Sequence, residues 1–277
     1  MRPRSVMDEP EPSVTLSIDR AAALLRLLGN AGANGARLSD LVARSGLAKP
    51  TVRRILLALI RAALVDQDEV TRRYQLGPEL HVLGALAGSR FGIYALSLDT
   101  LARLSRITQD TSFLSVPRDT LSVCLRREEG SFPIRTHALN VGDRHPLGVG
   151  AGSLAMLAAR PDEEIQNILN ANAALLAQQY PSCAPSVLLS LVAETRRQGY
   201  ALNPGLIVPG SWGVGVAVRG PDGQIAGALS IAAIEARLDD QRRRELVPLL
   251  REEAARLEGD LCNPVSSKTI RPSIAPE

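Results

Sequence analysis

The stretch from Leu38 to Leu76 constrains this chain more than any other. Leu38 precedes Ser39, which predicts a capped short helix through Leu41 and Val42 to Ser45, with Gly46 as a left-handed stop. Pro50 then suits the first position of a second helix, where a backbone N–H has no intrahelical partner. Val52, Ile55, Leu56 and Leu59 recur at i, i+3, i+4 and i+7, so that helix, reaching about Ala62, has one apolar stripe facing a core. Leu64–Gln67 and Arg72–Leu76 flank a turn at Asp68–Thr71. Alternation places Tyr74 and Leu76 on one face and Arg73 and Gln75 on the other, as in a hairpin. An earlier helix is expected from Ile18 to about Leu28, capped by Ser17. Helix, helix-turn-helix and hairpin together predict a winged helix-turn-helix over residues 14–78.

Charge supports that reading. Residues 14–77 carry ten Lys/Arg against five Asp/Glu, a net +5 within a chain whose total is +3. A basic first quarter on a near-neutral body is the electrostatic footprint of nucleic-acid binding by one small domain. The first turn of the second helix holds Lys49, Pro50, Thr51, Arg53 and Arg54. Arginine forks onto guanine O6 and N7, the threonine methyl packs on a thymine methyl, and the free N–H groups of a helix start favour phosphate. Arg72 and Arg73 on the hairpin are placed to meet phosphate or the adjacent minor groove. The competing reading is a protein-interaction domain with a solvent-facing basic helix.

The rest of the chain reads as α+β. Residues 1–13 and 260–277 are Pro-rich and aperiodic, which predicts a disordered arm and tail. Residues 79–94 read as an apolar linker helix and 95–259 as a second domain. In it a helix is expected at Leu98–Ile107, with strands at Thr111–Val116, Leu121–Arg126 and Ile134–Leu139. Helices follow at Gly150–Ala159, Asp162–Leu169 and Pro185–Gln198, and strands at Ser211–Val218 and Gln224–Ile231. Pro221-Asp222-Gly223 marks a tight hairpin between the last two, and Asp239–Leu257 a closing helix. Aromatics are only 3%, so the cores are built from Leu, Ile, Val and Ala.

Several classes are excluded. Apolar runs such as Ala22–Leu25 and Ile55–Ile60 fall far short of the ~20 residues that span a bilayer, and MRPRSVMDEPEPS has no apolar run of a secretory signal. Cys124, Cys183 and Cys262 form no CxxC, and His81, His137 and His145 no HxxxH. No metal, no cofactor and a reduced cytoplasmic setting are therefore expected. Gly210-Ser211-Trp212-Gly213 lacks the spacing of a nucleophile elbow. The adjacent pairs Glu128/Glu129 and Glu163/Glu164 are the kind that mark solvated turns, so no catalytic residue is expected. One motif does carry binding chemistry. In Leu147-Gly148-Val149-Gly150-Ala151-Gly152-Ser153 glycines precede a helix, and backbone N–H groups at Gly150, Ala151 and Gly152 would cradle an anion there. A tight loop that merely needs backbone freedom is the alternative.

The sequence resembles the IclR family of bacterial transcriptional regulators. The resemblance is carried by SIDRAAALLRLL, LSDLVARSGLAKPTVRRILLALIRAALV and RRYQLGPEL, then by HPLGVGAGSLAMLA, RRQGYALN and PDGQIAGALSIAA. It implies a winged-helix DNA-binding domain joined by a helix to a GAF-like (profilin-like) effector domain with an antiparallel sheet. It further implies a homodimer or homotetramer on double-stranded DNA. The family's small-molecule contacts fall on Gly150, Ala151, Asn203, Gly213, Ser230 and Ala232. Asn203 stands where an acidic residue is frequent, Gly213 where a cysteine is frequent, and Ala232 where a second serine is. With Trp212 beside the site as an apolar wall, this departure predicts a larger or less polar effector than a two-carbon acid, still an organic acid, aromatic acids included. The competing function is a metabolite-sensing interaction module without specific DNA contact.

Overall fold

The computed structural model describes residues 13–88, 92–134 and 139–263. The chain divides after Ala87 into two compact units. Residues 1–12 of the expected arm and most of the expected tail, from residue 264 on, lie outside the described residues, while Ser13 belongs to a helix.

The first unit holds α1 (Ser13–Gly29), α2 (Leu38–Ser45), α3 (Lys49–Arg61), β1 (Val65–Gln67), β2 (Tyr74–Leu76) and α4 (Glu79–Gly88), the last of which reaches the division between the units. Leu24 and Leu28 of α1, Leu41 of α2, and Val52, Leu56 and Leu59 of α3 are buried together with Val65 and Tyr74 of the hairpin. Apolar spacing on three short helices thus closes one core. The hairpin acquires a third edge at Ala36, whose N–H and C=O exchange bonds of 2.9 and 2.8 Å with Tyr74. Gly35 is required beside it, since a Cβ there would lie 2.6 Å from the Tyr74 carbonyl oxygen. The capping expected of two serines is not what forms. α1 begins at Ser13, which leaves Ser17 inside the helix. α2 begins at Leu38, where the Asp40 carboxylate accepts the Arg37 backbone N–H at 3.1 Å. A charged acceptor at the third helical position outcompetes the Ser39 hydroxyl for the role of ordering the helix start.

The second unit is an α+β layer structure. Its elements are α5 (Ile93–Thr108), β3 (Thr111–Arg118), β4 (Leu121–Glu128), β5 (Arg144–Pro146), α6 (Ala151–Ala158), α7 (Asp162–Ala171), α8 (Ala173–Gln179), α9 (Pro185–Gln198), β6 (Ala201–Pro204), β7 (Ser211–Arg219), β8 (Ile225–Ile234) and α10 (Asp240–Cys262). The strands form one antiparallel sheet in the order β5-β4-β3-β8-β7-β6. On one face Leu114, Val116, Val214, Val216, Leu229 and Ile231 pack with Leu101 and Leu104 of α5 and Leu246, Leu250 and Leu257 of α10. On the other lie α6 and α9, whose Leu154, Leu157, Leu188 and Val192 belong to a second core.

Three expectations change. Ile134 and Leu139 are in no strand, residues 135–138 lie outside the described set, and the edge strand is Arg144–Pro146 instead. An edge strand needs no donor on its outer side, so Pro146 is tolerated there. The linker expected over 79–94 is two pieces of structure, because α4 ends at Gly88 and Ile93 already starts α5. α10 runs to Cys262, so residues 260–262 belong to a helix and not to a tail.

The approach of β7 to α6 is unusually close. A Cβ on Gly215 would lie 2.8 Å from both the carbonyl carbon and oxygen of Ala151 and 2.9 Å from the Gly152 nitrogen. Gly215→Ala is expected to lower the stability of this unit by about 1–3 kcal/mol. Gly259→Ala on α10, where a Cβ meets nothing within 4 Å, is expected to be neutral or stabilising. Urea unfolding followed by the fluorescence of Trp212, the chain's single tryptophan, checks both.

Candidate functional site

α3 presents a continuous outward stripe. Its buried stripe of Val52, Leu56 and Leu59 leaves Pro50, Arg53, Arg54, Leu57 and Arg61 exposed on the opposite side, with Lys49 exposed at the first helical position and Thr51 half-buried. Arg72 is exposed at the end of the β1–β2 turn, in a left-handed conformation at φ 57°. The turn is fixed by Asp68, whose Oδ1 accepts the Thr71 N–H at 2.6 Å and the Val70 N–H at 3.1 Å. Those bonds, the Thr71 amide first, hold the Asp68 carboxyl below its ordinary range. The side chains of Lys49, Arg53, Arg54 and Arg72 have no hydrogen-bond or ion-pair partner among the described residues and are exposed, so their charge faces outward. Arg73 differs, because its Nη1 donates to the carbonyls of Gly35 at 3.1 Å and Asn34 at 3.4 Å. It ties the hairpin to the turn before α2.

The second unit encloses a cavity of about 60 Å³ between the sheet and the start of α6. Gly150, Ala151, Gly152, Asn203, Gly213, Ser230 and Ala232 all line it. The first bond inside α6 runs from the Leu154 N–H to the Gly150 carbonyl at 2.8 Å. The N–H groups of Ala151, Gly152 and Ser153 are therefore left without an intrahelical acceptor at the positive end of the helix. Gly148 and Gly150 make the entry possible, at φ 104° and 90°. The Ser153 hydroxyl clamps the same turn, accepting the Gly148 N–H at 3.0 Å and donating to the Pro146 carbonyl at 3.2 Å. Asn203 is held inward by its own loop, its Oδ1 accepting the Leu206 N–H at 3.2 Å.

Trp212 borders the cavity but does not form its wall. Between Ser211 and Gly213 on β7, its side chain is directed to the opposite face, where it packs on the α5–α10 core with Arg243 Cζ 5.7 Å from its ring centre. Phe113, Val149 and Ile207 supply the apolar lining instead. The lining also includes residues that the sequence did not single out, namely Ser115, Ser122, Ser211, Cys124 and His145. Ser115, Ser122, Ser211 and Ser230 are 3%, 4%, 4% and 8% exposed, and their hydroxyls have no hydrogen-bond partner among the described residues. Each stands on a strand beside apolar residues of the other face, a pattern visible in TSFLSV and LSVC once both faces of the sheet are known to be covered. These serines are polar points in a lining that is otherwise mostly apolar. Among the described residues no Asp, Glu, Lys or Arg lines the cavity. An apolar cavity of about 150 Å³ takes benzene, so a volume near 60 Å³ fits a molecule of only a few carbons without rearrangement.

An outward basic helix with a wing on one unit, and a mostly apolar cavity with a row of helix-start N–H groups and serines on the other, fit a DNA-binding protein that senses a small molecule. The comparisons agree. The family model described as the IclR helix-turn-helix domain matches residues 17–69, and that of the bacterial transcriptional regulator IclR C-terminal domain matches residues 86–258. The chain belongs to the IclR family of transcriptional regulators, ligand-responsive DNA-binding proteins that control metabolic genes. It is 28% identical over 230 residues to the HTH-type transcriptional regulator XynR of Escherichia coli, covering 81% of this chain and 88% of that one. The crystal structure of an IclR transcriptional regulator from Alicyclobacillus acidocaldarius matches with a TM-score of 0.75 at 26% identity, over 88% of this chain and 98% of that one. An IclR homologue from Microbacterium hydrocarbonoxydans, solved with 4-hydroxybenzoate, shares the fold with a TM-score of 0.73 at 21% identity, over 88% and 98% of the two chains.

Cys124 lies within the cavity yet is chemically quiet. Burial first, then the charge of Asp143, pushes its thiol up to about 12. Burial likewise raises the Cys183 thiol, whereas Cys262 is exposed. A thiol reagent such as DTNB at pH 8 is expected to modify Cys262 rapidly and the two buried thiols only after denaturation. Rapid loss of the Cys124 thiol in the native protein, read by peptide mass mapping, would contradict its assignment as a protonated wall residue.

Proposed function

We propose that this regulator binds a short-chain carboxylate in the cavity of its second unit and thereby changes its hold on an operator. The observation that carries the effector class is the free N–H row at the start of α6, set among the hydroxyls of four buried serines, with no acidic side chain among the described lining residues. A carboxylate satisfies that donor set, and the helix end supplies the favourable potential without a formal cation. Gly150, Ala151, Gly152, Asn203, Gly213, Ser230 and Ala232 are the effector contacts in this reading. Trp212 acts only as backbone and as core. The small volume favours an acid of a few carbons over an aromatic one.

On the DNA side, α3 enters the major groove. Arg53 and Arg54 read base edges, Thr51 packs against a base, Lys49 and the helix start meet phosphate beside Pro50, and Arg72 meets phosphate or the minor groove. Arg73, tied to Gly35 and Asn34, holds the wing in place. Two copies of α3 on a pseudo-palindromic site require a dimer or a pair of dimers. α4 favours self-association, with Val82 and Leu83 each 48% exposed on it. No helix of the described residues is long and apolar enough to cross a membrane. Effector control follows if the acid prefers one arrangement of the DNA-binding units over another.

Fluorescence anisotropy with DNA from upstream of the protein's own gene, against scrambled DNA at two salt concentrations, tests this. The expected preference is about a thousandfold or more. Arg54→Ala is expected to cost about 1–3 kcal/mol on the specific site and relax base preference. Arg72→Ala should weaken both DNAs alike and reduce the salt slope by about one. Equal behaviour of the two variants would refute the division of roles.

A further inference from the structure

The cavity has a second polar end, away from α6. His145 sits on β5, paired across the sheet with Ser122 of β4, so both side chains share the cavity face. Its Nδ1 is 2.8 Å from the Tyr180 hydroxyl, and the two rings meet edge to face with centroids 5.6 Å apart. Its Nε2 is fully buried and has no partner among the described residues. A buried polar nitrogen left unpaired costs about 1–3 kcal/mol, so its retention calls for a function. Ser122 beside it also lines the cavity. The Gly152 and Ser230 end of the cavity is different, since a Cβ on Gly152 would lie 3.2 Å from Ser230 Oγ. In the sheet order, β8 carries Ser230 and β4 carries Ser122, with β3 and its Ser115 between them. Two strand spacings, ~10 Å between backbones, separate the two ends before the side chains reach inward.

Burial pushes the His145 imidazole toward its neutral form, against the weaker pull of Asp143, and keeps the Tyr180 phenol protonated. One proton then lies between phenol and imidazole. The phenol is the stronger acid and imidazole nitrogen the stronger base, so the better bond has the Tyr180 O–H donating to Nδ1. That leaves the ring's other proton on Nε2.

We propose that His145, set in its Nε2–H tautomer by Tyr180, is a specificity-determining donor that selects carboxylates bearing a hydroxyl along their chain. The inference rests on the reading of the α6 end as the carboxylate site. The carboxylate docks there, and the hydroxyl oxygen accepts from His145 Nε2–H while its proton is taken by the hydroxyl oxygen of Ser122 or Ser115. A site built to hydrogen-bond a hydroxyl rejects the analogue lacking it, because its own buried groups stay unpaired. Tyr180 is a positioning residue, for it acts only through His145.

Calorimetry on the full chain with lactate against propionate, and 3-hydroxybutyrate against butyrate, tests the proposal. At least one hydroxy acid should bind tenfold or more tighter than its plain partner. In Tyr180→Phe, which removes one hydroxyl from a half-buried ring, that ratio should fall about tenfold while plain-acid affinity stays within about twofold. His145→Gln, whose amide can still donate, should retain part of the preference and lose its dependence on Tyr180. In ¹⁵N spectra the His145 signals, assigned by their loss in His145→Gln, should show a protonated Nε2 and a bare Nδ1. Equal binding of hydroxy and plain acids, an unchanged ratio in Tyr180→Phe, or equal loss of both acids in that variant overturns the proposal and leaves the carboxylate site standing. Binding of none of the four acids overturns both.

Discussion

The second unit depends on the contact between β7 and the first turn of α6. Gly215 removes the side chain that would strike Ala151, and Gly213 leaves room for the Ala151 methyl, 3.3 Å from where its own Cβ would stand. A helix start is thereby pressed against a sheet and held there by Leu154 and Leu157 in the core beneath. Its free N–H groups cannot be covered by ordinary side chains of β7, because glycines occupy the facing positions. The cavity is what remains between a helix that must expose donors and strands that carry only small residues toward it.

Charge is distributed with equal economy. In the second unit most described arginines serve the fold. Arg237 forks onto Asp110, whose side chain is 2% exposed, while its guanidinium also lies 3.8 Å over the Phe132 ring. Arg103 forks onto Glu253, itself buried in α10, with bonds of 3.0 and 2.7 Å. The first pair joins the turn between β8 and α10 to the α5–β3 corner, and the second joins α10 to α5. Buried pairs of this kind add little net stability, but removing one partner strands a charge in a poor solvent. They therefore fix where α10 lies. In the first unit Lys49, Arg53, Arg54 and Arg72 are instead unpaired, which leaves their charge available to phosphate and bases.

The parts of this design that were legible in the sequence are those governed by local periodicity. The stripe Val52, Leu56, Leu59 located α3 and with it the exposed arginines, because a helix with one buried face has a determined opposite face. The glycines before Ser153 located the helix start in the cavity for a similar local reason. The illegible parts depend on which strand neighbours which. Ser115 and Ser122 enter the cavity only because β3 and β4 lie next to β8 in the sheet. His145 does so because a three-residue strand, Arg-His-Pro, pairs with β4, and so short and polar a strand has no signature. Trp212 borders the cavity, but its parity on β7, between Ser211 and Gly213, sets its ring toward the α5–α10 core, which the sequence reading did not use. The helix start at Leu38 differed from expectation because the Asp40 carboxylate, and not the Ser39 hydroxyl, caps it, a choice that spacing alone does not rank.

The central claim is that the cavity and the basic helix face are coupled. Linkage provides the most direct measurement. The affinity of a cavity-binding acid is determined by calorimetry with and without saturating operator DNA, and the affinity for operator with and without saturating acid. The account predicts that both affinities change by the same factor and in the same direction, of about 5-fold to 150-fold. An acid that binds the free and the DNA-bound protein equally would contradict it, whatever its affinity.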